Sequence, residues 1–94
     1  MRIQVVRTGG FAGLRRECAV ETDQLAPHER LELERLVAEA RFFDLPARQT
    51  SGLPDVIQYR VRVEVQGRVH EVATDDQTAD EALAALVARV MRVE

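Results

Sequence analysis

The architecture follows from residues 57–74, which read IQYRVRVEVQGRVHEVAT. From residue 57 to residue 65 every second side chain is apolar, and the side chains between them are polar or charged. Such alternation predicts a strand of an antiparallel sheet with one face on a hydrophobic core and the other in water. We therefore predict a half-buried strand here, followed by a returning strand that reaches Thr74.

The turn between these two strands sets which side chains of the returning strand face the core. Gln66-Gly67 is typical of a tight hairpin turn. A two-residue turn would place His70 and Val72 on the core side, whereas a bulged turn would place Val69 and Ala73 there. The sequence leaves both alternatives open.

A second hairpin is predicted near the start of the sequence. Residues 2–8 and 14–22 have the composition of strands, and the glycine-rich segment 9–13 permits backbone angles that other residues resist. Cys18 shares a strand face with Val20, so we expect it to be a small core residue rather than a reactive thiol.

Two amphipathic helices are predicted, one after each hairpin. The first begins at Pro27, ends near Phe42-Phe43 and is closed by Pro46. The second follows residues 78–81, TADE, which match a capping box with Thr78 as the cap. The apolar stripes expected to be buried are Leu33, Leu36, Val37 and Ala40 in the first helix and Leu83, Leu86, Val87, Val90 and Met91 in the second.

The element order predicts an α+β fold of ββαββα type over residues 1–94, as one domain. A four-stranded antiparallel sheet with both helices on one face would bury all of these apolar stripes in a single core. Residues 47–55 show no periodicity and are predicted to form a loop.

Composition excludes several classes of protein. The sequence has 94 residues, with 13 basic and 16 acidic side chains and a net charge of −3, which argues against a nucleic-acid-binding role. The basic residues are all arginine, and the absence of lysine and asparagine points to a GC-rich bacterial genome. No stretch is long and apolar enough for a membrane span or a signal sequence, so we expect a cytoplasmic protein without membrane contact.

The sequence contains no recognisable catalytic or metal-binding constellation. His28 and His70 lack the spacing of a zinc site and are interpreted as an exposed helix residue and a structural strand residue. The glycine-rich segment 8–13 leads into a strand and the chain has no lysine, so it is not a phosphate-binding loop. Asp75-Asp76 and Asp80 are interpreted as acids that complement a helix dipole. We predict no enzyme activity, no cofactor and no bound metal.

Two apolar side chains lie on predicted loops, outside the periodic pattern. Phe11 lies among three glycines, and Leu53 lies between Gly52 and Pro54. Either side chain could fold back to cover the end of the core. The alternative is that both belong to an exposed binding edge, because apolar side chains on loops are candidate anchors for a partner.

Three segments together resemble the emfourin family, whose members are small protein inhibitors of thermolysin-like metallopeptidases. They are residues 8–13 (TGGFAG), residues 40–46 (ARFFDLP) and residues 54–59 (PDVIQY). The resemblance extends over nearly the whole chain.

The resemblance implies a reversible inhibitor that blocks the active-site cleft of a zinc endopeptidase of this class. Such enzymes prefer a bulky apolar residue just after the scissile bond, and Phe11 and Leu53 are the candidates for that pocket. Pro54 would stiffen the loop, and Asp55 would approach the zinc of the target. The glycine amides of the first loop would pair with the backbone of the enzyme. The residues expected to contact the target are Gly9, Gly10, Phe11, Ser51, Gly52, Leu53, Pro54 and Asp55.

The alternative function is a protein–protein interaction or dimerisation module without a peptidase target. It would use an exposed sheet edge or the arginine-rich face of the sheet. The inhibitor is expected to be a monomer or a weak dimer, and neither its target nor its affinity follows from the sequence.

Overall fold

A computed structural model of the protein describes residues 1–10 and 15–92. Two helices cover one face of a five-stranded mixed sheet with the strand order β2-β1-β4-β5-β3. The strands are β1 (Arg2–Gly9), β2 (Arg16–Glu21), β3 (Arg48–Gln49), β4 (Ile57–Val65) and β5 (Arg68–Asp75); the helices are α1 (Pro27–Glu39) and α2 (Glu81–Arg92). Short 3₁₀ turns occur at Thr22–Gln24 and Phe42–Asp44.

The α+β prediction is confirmed, but the prediction of four antiparallel strands is wrong. Strand β3 lies within the predicted loop 47–55 and pairs with β5 in parallel, with Arg48 beside Ala73 and Gln49 beside Thr74. The N–H of Ala73 also donates to the carbonyl oxygen of Ala47 at 2.8 Å. A strand of two residues is too short to show an alternating pattern, so the sequence carried no signal for it.

The hairpin of β4 and β5 has the two-residue turn. Val65 pairs with Arg68, and Gln66 and Gly67 have φ angles of 49° and 79°. Two successive positive φ angles are typical of a type I′ turn, whose twist matches that of the flanking strands. This register places His70 opposite Val63 on the core side and leaves Val69 exposed.

The predicted apolar stripes form one core between the sheet and the helices. Ile3, Val5, Val61 and Val63 contribute the centre of the sheet face, and each is fully buried. Cys18 is 2% exposed, which confirms its prediction as a core residue. The helix residues buried in this core are Leu33, Leu36, Val37, Ala40, Leu83, Leu86, Val87 and Val90, while Met91 is partly buried against it.

The cap of the second helix differs from the prediction. Helix α2 begins at Glu81, and Asp80 is its cap, because the N–H of Leu83 donates to Asp80 Oδ1 at 2.8 Å. The N–H of Thr78 donates instead to Asp75 Oδ1 at 2.9 Å, so this part of the chain forms a turn. The capping box therefore begins two residues too early in the prediction.

Candidate binding edge

The predicted contact residues that the structure describes lie at one end of the sheet. Gly9, the last residue of β1, pairs with Ile57, the first residue of β4. The N–H of Asp76, just after β5, donates to the carbonyl oxygen of Ile57 at 3.0 Å. The end of β1 and the segment that precedes β4 are therefore neighbours. We call residues 50–56 the Ser51 loop, and this loop together with Gly9 and Gly10 the binding edge.

Gly9 fits at this edge because it has no side chain. Its φ angle is 93°, and a Cβ atom at this position would lie 2.6 Å from the carbonyl oxygen of Val56. Both the backbone conformation and the close approach therefore require glycine. Gly10 also has a positive φ angle, 81°, but a Cβ atom there would come no closer than 4.0 Å to Ile57. The tight contact with the Ser51 loop is thus made by Gly9.

A buried carboxylate, that of Asp75, holds the Ser51 loop on the end of β5. Asp75 Oδ2 accepts hydrogen bonds from the backbone N–H of Ser51 at 2.6 Å and from its hydroxyl at 2.8 Å. Asp75 Oδ1 accepts from the N–H groups of Gln77 and Thr78 at 3.0 Å and 2.9 Å. Asp75 is only 1% exposed, so these bonds take the place of water around the charge.

These hydrogen bonds favour the ionised form of Asp75. The N–H of Ser51 contributes most to lowering its pKa, from an ordinary value of 3.8 to about 2. Burial opposes this effect, whereas the hydroxyls of Ser51 and Thr78 and the N–H of Gln77 reinforce it. Asp75 is therefore a charged anchor at neutral pH.

The tip of the Ser51 loop presents Leu53 to solvent. The hydroxyl oxygen of Ser51 accepts a hydrogen bond from the N–H of Leu53 at 3.2 Å, and Gly52 between them has a φ angle of 73°. Leu53 is 54% exposed, so it does not cover the end of the core. Pro54 and Asp55 are exposed as well, and Asp55 has a φ angle of 63°.

The structure thus brings Gly9 and Gly10 to the same edge as Ser51, Gly52, Leu53, Pro54 and Asp55. Phe11, the remaining predicted contact residue, lies outside the described residues. Asp75 was missed as a site residue, since the sequence interpretation gave it only a role at a helix start. A signal for its role exists: an aspartate that precedes a turn commonly accepts hydrogen bonds from the N–H groups two and three residues later.

The structure places one histidine on the surface and the other against the core. His28 is exposed in the first turn of α1. His70 Nε2 lies 2.7 Å from the carbonyl oxygen of Leu45, which can only accept, so this nitrogen carries the proton. The His70 ring also packs edge-on against Phe42, with the ring centroids 5.6 Å apart. Within residues 1–10 and 15–92, no three His, Cys, Asp or Glu side chains are grouped as metal ligands would be.

In the same two ranges, no helix has both the length and the apolar character needed to cross a membrane.

Comparison with known proteins gives one positive result. The family model described as Emfourin matches residues 5–91, nearly the whole chain. No curated protein and no solved structure matches this chain.

Proposed function

Because the chain belongs to the emfourin family, we propose that it is a reversible inhibitor of thermolysin-like zinc metallopeptidases that blocks the active-site cleft with two loops. Membership of this family is consistent with a role as a metallopeptidase inhibitor. The thermolysin-like target, the cleft-blocking mode and the contact residues all belong to this proposal. In it the zinc and the catalytic groups belong to the peptidase, and this chain supplies only a binding surface.

The observation that carries the proposal is an exposed leucine on an anchored loop. Leu53 is 54% exposed, and its backbone N–H is bonded to Ser51, which is bonded in turn to Asp75. Burying a leucine side chain in a partner contributes about 1.5–3 kcal/mol. Since the loop is already held by hydrogen bonds, little of this gain is lost to ordering on binding. Leu53 is therefore suited to fill the apolar pocket beside the scissile position.

The other residues of the binding edge have supporting roles in this proposal. Gly9 and Gly10 are exposed and carry no side chain, so an enzyme backbone can approach their amides closely. Pro54 restricts the backbone after Leu53. Asp55 places an exposed carboxylate two residues beyond Leu53, and we assign it the position closest to the zinc of the target. Phe11, which the sequence predicts to lie in the first of the two loops, is the second candidate for the apolar pocket.

The proposal is tested by measuring inhibition of a thermolysin-like peptidase, ideally one from the same genome. Leu53→Ala should raise the inhibition constant at least about tenfold, equivalent to about 1.4 kcal/mol. Phe11→Ala should have a similar effect, and neither change should lower the thermal unfolding midpoint appreciably. Leu31→Ala is the matched control, because Leu31 is 60% exposed on α1, outside the binding edge.

Three outcomes would contradict parts of the proposal. Normal inhibition by both loop variants would exclude the two-loop contact. Equal weakening by the Leu31 control would show that the effect is not specific to the edge. A wild-type chain that dimerises with concentration in small-angle scattering and inhibits no thermolysin-like peptidase would support the interaction-module alternative.

A further inference from the structure

A polar groove of about 170 Å³ lies beside the Ser51 loop on the sheet face that the helices leave uncovered. Val6 and Ala73 form part of its floor, and Thr50, the first residue of the Ser51 loop, lines it as well. The polar and charged residues that line it include Thr8, Arg15, Arg48, Thr50, Gln58 and Arg60.

The strand register brings two arginines of this groove, Arg48 and Arg60, to the same face of the sheet. Arg60 pairs with Val6 on one side and with Ala73 on the other, and Ala73 pairs in turn with Arg48. Arg48 and Arg60 therefore project from the same face two strands apart, about 10 Å between backbones. The side chain of Ala73 between them is short, which leaves room for a ligand group.

The positive charge of the groove is only partly neutralised. Among the described residues, Arg48 forms no ion pair, and Arg60 Nε lies 3.9 Å from Glu71 Oε2, at the limit of one. Arg15 pairs with Glu17 at 3.2 Å, but both side chains are more than 60% exposed, so this pair is weak. The whole chain is acidic, with a net charge of −3, so the groove is a local exception.

We propose that this groove binds carboxylate side chains of an acidic segment on the surface of the target peptidase. The identity of the partner rests on the proposed function. A guanidinium group binds a carboxylate in a planar, bidentate manner, and two or three of them around a short floor suit a pair of acidic side chains. The net negative charge of the chain disfavours a long polyanion such as RNA, which would extend beyond the groove.

The groove and the binding edge form one continuous surface. Thr50 lines the groove, and the next residue, Ser51, is bonded to Asp75. A peptidase seated on Leu53 would therefore lie over the arginines as well. Charges at the rim of an interface act chiefly on the rate of association, and salt screens them. The groove thus guides the target toward the edge, while Leu53 supplies the contact in its cleft.

The first test measures association with a thermolysin-like peptidase at low and high salt. The double variant Arg48→Gln/Arg60→Gln should associate about three- to tenfold more slowly at low ionic strength, with a smaller difference at about 0.5 M salt. Arg2→Gln is the matched control, because it removes one arginine from the same face at the other end of β1, where Arg2 lies between Glu21 and Glu64. It should associate at the wild-type rate.

The second test needs no peptidase and separates this inference from the proposed function. Fluorescently labelled hexaglutamate should bind the wild-type chain and the Arg2→Gln variant, and bind the double variant at least threefold more weakly. If the wild type inhibits but neither measurement distinguishes the double variant, the groove assignment is wrong and the inhibitor function stands.

If no thermolysin-like peptidase is inhibited but hexaglutamate binding depends on Arg48 and Arg60, the acidic-segment site stands and the proposed partner is wrong. Tighter binding of a single-stranded RNA hexamer than of hexaglutamate would overturn the assignment to carboxylates.

Discussion

At the scale of single residues, Asp75 does the most to shape the binding edge. Its two carboxylate oxygens accept four hydrogen bonds, two from Ser51 and two from the turn that follows β5. Since these donors belong to segments that are far apart in sequence, one buried side chain joins the Ser51 loop to the main sheet. The position of Leu53 depends on these hydrogen bonds, because its N–H is bonded to the hydroxyl of Ser51.

Replacement of Asp75 by asparagine should loosen the Ser51 loop. An asparagine amide has one acceptor oxygen and one donor nitrogen, so either the Ser51 donors or the Gln77 and Thr78 donors would face an NH₂ group. We expect a lower free energy of unfolding and, if Leu53 contacts the peptidase, roughly tenfold weaker inhibition, because the loop must then be ordered on binding. Urea denaturation and an inhibition assay measure the two effects.

The stabilisation by Asp75 should also depend on pH. Its pKa is about 2 in the folded chain against an ordinary 3.8, so the carboxylate favours the folded state. A group with a lowered pKa contributes its full stabilisation above pH 3.8, and the contribution is lost as the pH falls from 3.8 toward 2. The difference in stability between wild type and Asp75→Asn should therefore be constant near neutral pH and shrink in this acidic window. A difference that stayed constant down to pH 2 would exclude a role for the charge.

At the scale of elements, the start of α2 shows how a tertiary contact displaces a local motif. Residues 78–81 match a capping box, but the N–H of Thr78 is bonded to Asp75 Oδ1. The helix begins at Glu81, and Asp80 Oδ1 accepts from the N–H of Leu83. Thr78, which the local motif predicts as the helix cap, thus belongs to the turn whose N–H groups bind Asp75. The helix begins after that turn.

Asp80 should therefore carry the stability of this helix start. Asp80→Ala removes the cap and should lower the free energy of unfolding by about 1 kcal/mol. Asp80→Asn keeps an acceptor oxygen at the cap and should cost much less. Chemical denaturation of both variants distinguishes the effects, and equal losses would mean that the charge of Asp80, not its hydrogen bond, is what matters.

At the scale of the whole molecule, the two helices are joined by a partly buried ion-pair network. Arg89 of α2 contacts Glu32 of α1 at 2.8 Å and Glu29 at 3.6 Å, and its side chain is only 14% exposed. Such a network holds the helices together on the sheet, on the side of the molecule away from the groove. It should influence stability without touching the binding edge.

Arg89→Gln should lower the free energy of unfolding by about 1 kcal/mol, since it leaves two partly buried carboxylates without their partner. Arg35→Gln is the matched control, because Arg35 pairs with Glu39 within α1 and both side chains are more than half exposed. Its loss should stay below about 0.5 kcal/mol. Urea denaturation checks both values. Reduced inhibition by folded Arg89→Gln would contradict the separation of the network from the binding edge.

The sequence alone was sufficient for the α+β class, the two hairpins, both helices and the core. Each of these depends on a local pattern: the alternation from Ile57 to Val65, or the spacing of Leu33, Leu36 and Val37. Such patterns predict secondary structure because the position of a residue along a strand or helix fixes the face on which its side chain lies. The segments that carry the emfourin resemblance are local as well, and the family match confirms it.

Tertiary structure was needed wherever distant segments meet. Strand β3 exists because Arg48 and Gln49 lie against β5, and the side chains of Ser51 and Asp75 meet across 24 residues. The groove depends on Arg48 and Arg60 lying on either side of Ala73. The hydropathy pattern of the sequence does not predict such contacts. Hydrogen bonds and ion pairs between separate elements depend on the register in which the strands pair. The exposure of Leu53 also depends on tertiary contacts. The sequence around it is compatible with a buried or an exposed side chain, and the hydrogen bonds from Asp75 through Ser51 hold it in solvent.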